Sequence, residues 1–240
     1  MVDMKQKIII EPARITCILG IVIALLVLAS IAVKVFEFET GRHNVYGLIR
    51  QFYLDNEGNV PSFFSSIILL ISAVLLAIIA VSKKRVQDSY AINWAILSII
   101  FLYLAFDEAA SIHEMFSSPV MDILSRPHQG PLFHLGWTIP FTALVVVFAI
   151  SYWKFLFHLP ANIKAFFSIA GILYITGAIG GEILQIWYHH LYGPDNLTYC
   201  MVIMLEETLE MIGILIFIHA LLKYMSINVQ EVHFYIGDNE

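Results

Sequence analysis

The chain has 240 residues, 59% of them hydrophobic and only 13% charged, with a net charge of −6 and a mean hydropathy of +0.80. A soluble domain carries roughly 25% charged residues, so this composition excludes an ordinary hydrated shell and makes lipid the solvent. The acidic balance excludes nucleic acid as a partner. Cys17 and Cys200, far apart in apolar stretches, make neither a disulfide framework nor a metal pair and read as buried small apolar side chains.

Six apolar segments approach the ~20 residues that a bilayer requires: approximately 15–35, 62–82, 90–116, 133–157, 162–190 and 197–224. The first follows Lys5, Lys7 and Arg14 and outruns the roughly 7–15 residues of a signal-peptide core, so it reads as a retained span. The loop 36–61 ends in Leu54-Asp55-Asn56-Glu57-Gly58-Asn59-Val60-Pro61, which is turn chemistry, and Pro61-Ser62 suits the start of helix two. Pro127, Gly130 and Pro131 break the chain after helix three. Leu159-Pro160 and Gly193-Pro194-Asp195-Asn196 break it later. The expectation is an all-α polytopic membrane bundle over 1–225, with a short polar tail over 226–240.

Lys and Arg counts orient the bundle. One side carries Lys5, Lys7, Arg14, Lys83, Lys84, Arg85, Lys154, Lys164 and Lys223, and the other Lys34, Arg42, Arg50 and Arg126. The richer side is expected to be cytoplasmic, with both termini there, in the plasma (inner) membrane of a bacterium.

Helices three, five and six carry ionisable residues in their apolar cores: Asp107, Glu108, His113 and Glu114; Glu182, Gln185 and His189; Glu206, Glu207 and Glu210. A carboxylate in the bilayer costs several kcal/mol unless it is paired, protonated, hydrated or metal-bound. Counted from the outer helix ends at 1.5 Å per residue, Asp107 lies ~14 Å, Glu182 ~12 Å and Glu207 ~15 Å deep. Three helices of differing direction thus place acids at one level, with His134 above them. Asp107, Ser111 and Glu114 share one stripe, with Glu108 and His113 on its flanks; Glu182, Gln185 and His189 share another. Gly177 and Gly181 form a small-xxx-small pair that lets helix five approach a neighbour closely.

Carboxylates and imidazoles converging from several helices suit a binuclear metal centre, as in di-iron bundles. The expected ligands are Asp107, Glu108, His113, Glu182, His189, Glu207 and Glu210, holding divalent metal, two Fe first and Zn or Mn as alternatives. Glu114 and Glu206 are left as acids for proton transfer. No Glu-x-x-His pair is present, so the likeness to that template is chemical only. His189 and His190, at a helix end, equally suit headgroup contact, and His158 and His219 suit packing. Trp137, Trp153 and Trp187 suit interfacial belts, and Trp94 suits packing.

The runs Asn59-Val60-Pro61-Ser62-Phe63-Phe64-Ser65-Ser66, Phe106-Asp107-Glu108-Ala109-Ala110-Ser111-Ile112-His113-Glu114 and Glu206-Glu207-Thr208-Leu209-Glu210-Met211-Ile212-Gly213 resemble a widespread group of six-helix bacterial integral membrane proteins for which no activity is established. The resemblance extends over about residues 40–224 and implies a bacterial polytopic protein without adding to the chemistry. The function expected from the residues is a membrane-embedded, metal-dependent oxidoreductase acting on a lipid or other apolar substrate from the outer side. A zinc-type hydrolase, a proton- or divalent-cation-coupled transporter and a structural subunit are the alternatives. A structural role requires the acids to bond one another with no void between them, and a transporter must open to both sides.

Overall fold

Long apolar runs can satisfy their own backbone only as helices. The computed structural model describes residues 11–124, 131–193 and 196–229, with the side chains of 131–135 excepted, and they contain no strand. In chain order come α1 (Pro12–Thr40), α2 (Leu48–Phe52), α3 (Val60–Arg85), α4 (Ala91–Ala110), a 3-10 turn (His113–Phe116), α5 (Ser117–Ile123), α6 (Pro131–His158), α7 (Ala161–Ile175), a π segment (Thr176–Gly181), α8 (Glu182–Tyr192) and α9 (Leu197–Asn228). Lys5, Lys7, Arg126, the Pro127 and Gly130 break, Pro194-Asp195, the tail from 230 and the His134 side chain lie outside the described residues.

Five helices are long and apolar enough to cross a membrane: α1, α3, α4, the 136–158 stretch of α6, and the rod that runs unbroken from Ala161 to Tyr192. Inside them stands α9, 32 residues long, enclosed by α1, α3, α7, the π segment and α8. Its enclosure explains how one helix can carry Glu206, Glu207 and Glu210 without presenting them to lipid.

Small residues let the helices close on one another. A Cβ on Gly177 would lie 2.8 Å from Glu210 Cγ and 2.9 Å from the Glu206 carbonyl oxygen. On Gly213 it would lie 2.9 Å from the Tyr174 backbone nitrogen. The expected close approach at Gly177 and Gly181 is therefore made, and its partner is α9. The α3–α4 hairpin is tied by serines: the Ser66 hydroxyl donates to the Ala105 carbonyl at 2.7 Å and the Ser98 hydroxyl to the Ala73 carbonyl at 2.8 Å.

At the end where α1 begins and α3 finishes, the interior is closed by aromatic packing. Trp94, 1% exposed, meets Phe155 at 4.9 Å and Tyr224 at 4.8 Å between ring centres. His158 rests against Tyr90 at 4.4 Å, and His219 sits on Phe166 at 5.3 Å, so both serve packing. Cys200 is buried as expected, but Cys17 is exposed on α1, where lipid replaces the protein neighbours.

Two features depart from the sequence reading. The loop expected over 36–61 contains the last turn of α1 and all of α2. Its end is stitched down by hydrogen bonds: Leu54 N–H donates to Ser30 Oγ on α1 at 3.1 Å, and Asn59 Nδ2 donates to the Tyr53 carbonyl at 2.6 Å. Asn59 also caps α3, its Oδ1 accepting from Ser62 N–H at 3.0 Å while Ser62 Oγ accepts from Asn59 N–H at 3.1 Å. Asn59→Ala removes the cap and one of the two hydrogen bonds to the Tyr53 carbonyl, which Asn56 N–H still donates to at 3.2 Å, so a loss of about 1–2 kcal/mol is expected, read as a fall in melting temperature in detergent.

The second departure matters more for the site. Helix three does not run to 116: α4 ends at Ala110, and Ser111 turns into the left-handed region at φ 53°. Asp107, Ser111 and Glu114 therefore share no helical stripe, and His113 is no flanking residue. The reversal ends the helix and swings His113 back over Asp107.

Candidate functional site

Asp107 opens the last turn of α4 and is 8% exposed. Once the chain reverses at Ser111, both donors of His113 meet this one carboxylate. The His113 N–H donates to Asp107 Oδ1 at 2.7 Å, and ring Nδ1 pairs with Asp107 Oδ2 at 3.1 Å. A proton on Nδ1 leaves the Nε2 lone pair free and fixes the ring plane, the way a carboxylate prepares an imidazole for a metal. The Trp137 ring backs His113 at 4.8 Å, where it helps position the imidazole. Trp153 and Trp187, 61% and 57% exposed, do face outward.

Nε2 points toward Glu57, 3.9 Å from its Oε1. One ligand atom each from Glu57, His113 and Glu114 lie within 4.8 Å of one another, which is the spacing a single ion needs. Nothing in the sequence singles out Glu57. It lies in turn chemistry, where an acid is commonplace, and only the hydrogen bonds of Leu54 and Asn59 bring it inward.

Beneath this triad lies a cavity of about 1560 Å³. Its walls carry nine carboxylates: Asp55, Glu57, Asp107, Glu108, Glu114, Glu182, Glu206, Glu207 and Glu210. His113, His189, Gln185, Tyr174 and Tyr199 join them, and among the described residues no lysine or arginine does. All nine residues singled out from the sequence, Asp107, Glu108, His113, Glu114, Glu182, His189, Glu206, Glu207 and Glu210, thus line one space. Asp55, Tyr174 and Tyr199 are additions.

The acids are not mutually satisfied. Glu206, 6% exposed, accepts a short hydrogen bond from Gln185 Nε2. Among the described residues, Glu108, Glu182, Glu207 and Glu210 have no hydrogen-bond or ion-pair partner. The Nδ1 atom of His189 is buried and equally unpartnered. Glu207 and Glu210 are only half-buried by accessible area although α9 is enclosed, because the surface they expose is cavity wall. The described residues do not gather Glu108, Glu182, Glu207, Glu210 and His189 into a second set of mutually close ligand atoms.

Burial, followed by the nearby Glu114 charge, pushes the Glu57 carboxyl up to about 7. A raised folded-state value means that the native protein holds this proton more tightly than the unfolded chain does. Stability drawn from it is complete below the ordinary carboxyl range and is lost as pH rises toward 7. The melting temperature of chelator-treated protein is expected to fall between pH 5 and 7, and Glu57→Gln to flatten that fall; an unchanged slope in the variant would refute the assignment.

Residues 18–225 match a family described as a domain of unknown function (DUF8692). No curated protein and no solved structure matches the chain. The match takes in α1 from its second turn to near the end of α9, with every acid of the cavity inside it. The chain, five of whose helices are long and apolar enough to cross a membrane, belongs to this DUF8692 family.

Proposed function

We propose that this protein is a divalent-metal-dependent enzyme of the bacterial inner membrane, acting on a lipid or other apolar substrate. In this reading α9 is a sixth span, both termini are cytoplasmic, and the cavity belongs to the extracytoplasmic half. The observation that carries it is a large void walled, among the described residues, by nine carboxylates with no lysine or arginine. Like charges so close in low dielectric cannot all ionise unless cations enter. The void and the unpartnered acids favour this over a purely structural role.

Glu57, His113 and Glu114 would hold the ion, with Asp107 as the orienting carboxylate. The sequence suggests Asp107 as a ligand, but both its oxygens are engaged by His113. Two hard carboxylates to one borderline imidazole suit iron or manganese better than zinc, whose sites favour His and Cys. Oxidation is therefore preferred over hydrolysis. When bound, the metal would supply Lewis acidity and, as iron, redox chemistry. Glu206, bonded to Gln185, and its neighbours Glu207 and Glu210 are placed to exchange protons with whatever the cavity holds.

A second ion, completing the di-iron centre expected from composition, would draw on Glu182, Glu207 and Glu210. Elemental analysis of detergent-purified protein tests both points. About one transition-metal ion per chain, as in a single three-ligand site, is expected to persist in Glu182→Ala and Glu207→Ala. Halving of a two-ion content in those variants would establish the binuclear alternative. Wild-type protein that stays empty after incubation with Fe(II), Mn(II) and Zn(II) would sink the metal reading altogether.

Cation transport is the second reading, favoured by the unpartnered acids on α9. Against it stands the closed aromatic end around Trp94, Phe155 and Tyr224. Proteoliposomes are expected to take up no Mn(II) in excess of protein-free controls.

A further inference from the structure

The cavity does not stop at the acids. It continues as an apolar slot along the middle of α4, α6 and α7, walled by Ile99, Phe101, Leu144, Val147, Phe148 and Ile172. Helices α4 and α6 are laced together at both ends of this slot. At one end Tyr152 Oη donates to the Asn93 carbonyl at 3.0 Å and Phe155 meets Trp94. At the other, the turn after α4 meets α6 through His113–Trp137 and Phe116–Phe141, with ring centres 4.8 Å and 5.9 Å apart. Between the laces the helices stand apart, and α6 touches α7 little. Ile99, Leu144, Val147 and Ile172 are 60–65% exposed, on faces that a bilayer would cover.

We propose that this slot admits, sideways from the bilayer, a single-chain amphiphile whose polar end donates hydrogen bonds and carries no negative charge: a long-chain alcohol or amine. This deepens the enzyme reading above and rests on it. The chain class follows from an apolar channel that opens where lipid would lie. The end-group class follows from the far wall. Ionised carboxylates only accept hydrogen bonds, and among the described residues no lysine or arginine lines the cavity to receive a phosphate or carboxylate. From Ile96 to Asp107 the channel follows about 17 Å of helix rise, so a chain lying along α4 brings its polar end to Asp107, Glu108 and the α9 acids. A double-chained phospholipid would be excluded twice, by its charge and by its second chain.

The test uses the full chain in nanodiscs and a hexadecylamine bearing a chain-terminal diazirine. Photolysis is expected to label peptides of α4, α6 and α7, and hexadecanol or hexadecylamine to suppress labelling at least tenfold while hexadecyl phosphate does not. Comparing the two suppressors tells hydroxyl from amine. Ile99→Trp with Leu144→Trp, at exposed positions that leave folding intact, should plug the slot and reduce labelling to a similar degree. Equal competition by the phosphate, or labelling indifferent to the plug, would overturn the proposal. Metal content measured on the same samples keeps the two ideas apart: labelled but metal-free protein fails the enzyme reading alone, and metal-loaded protein without competed labelling fails this one alone.

Discussion

His113→Ala is expected to abolish metal binding, and Asp107→Asn to weaken it about 10–100-fold while leaving the first-row ion detectable. The alanine variant removes the only nitrogen donor of the Glu57–His113–Glu114 triad. The asparagine variant keeps every ligand and changes only what holds the ring. An amide can still accept from the His113 N–H, now 2.7 Å from Oδ1. Its NH2 group, however, faces the ring nitrogen that Oδ2 now engages at 3.1 Å, which favours the other tautomer and places a proton on Nε2 where the ion belongs. Competition titration with a chelating dye separates the two. Equal loss in both variants would mean that Asp107 is itself a ligand, and no loss in His113→Ala would remove the triad from consideration. The other imidazole on the cavity wall, His189, has a buried and unpartnered Nδ1. It stands outside the triad's set of mutually close ligand atoms, so it does not replace His113.

Gly177→Leu is expected to cost about 3 kcal/mol or more, the upper range for overpacking a closed contact, against a total stability of about 5–15 kcal/mol. The reason is what the side chain would strike. Already the Cβ would lie 2.9 Å from the Glu206 carbonyl oxygen and 3.2 Å from the Glu210 nitrogen, both backbone of α9 and unable to rotate away. The rod must back off from α9, opening the wall that holds Glu182 and Gln185 against Glu206. Gly171→Ala provides the control, since its Cβ would meet nothing within 4 Å; there the methyl is expected to stabilise by about 0.5–1 kcal/mol through helix propensity. Unfolding in graded detergent mixtures reads both. A tolerated leucine at Gly177 would mean that the rod and α9 are not in contact at this level.

The convergence of the acids was legible because carboxylates are costly in a spanning helix and three apolar helices carry them, not because their depths were counted correctly. The count of ~14 Å for Asp107 took the helix to run on to 116, whereas α4 ends at Ala110, about 4.5 Å of helix rise beyond Asp107; what the structure keeps is that Asp107, Glu182 and Glu207 line one cavity. Glycine spacing was legible for a similar reason: Gly177 and Gly181 mark a close approach by lacking a side chain, and the approach is to α9. What counting could not supply was the reversal at Ser111. No glycine or proline stands in Ala109-Ala110-Ser111-Ile112, and a serine in the left-handed region carries no local signal. Every inference about residues past 110 that assumed a continuing helix therefore went astray, and His113 moved from the flank to the centre. Glu57 was hidden differently. Its loop reads as solvated turn chemistry, and it becomes a wall of the cavity only through bonds made by Ser30, Tyr53 and Asn59, residues whose roles depend on the fold already being formed.

The π segment at Thr176–Gly181 gives the rod one widened turn, which amounts to a residue more than an α-helix would use over the same length. Deleting a single residue there, Gly180 for example, would remove the widening and leave everything beyond it in phase, whereas winding the same residues as a regular α-helix would rotate everything beyond it by about 100° with a shift of about 1.5 Å. In that regular winding Glu182, Gln185 and His189 would leave the cavity as a set and Ile183, Leu184 and Trp187, now outward at 50%, 41% and 57% exposure, would be carried round with them. The widened turn thus acts as the phase setting of α8: it lets α7 keep its apolar faces toward lipid and aromatic core while the same rod, a few residues on, presents acid and amide to the interior.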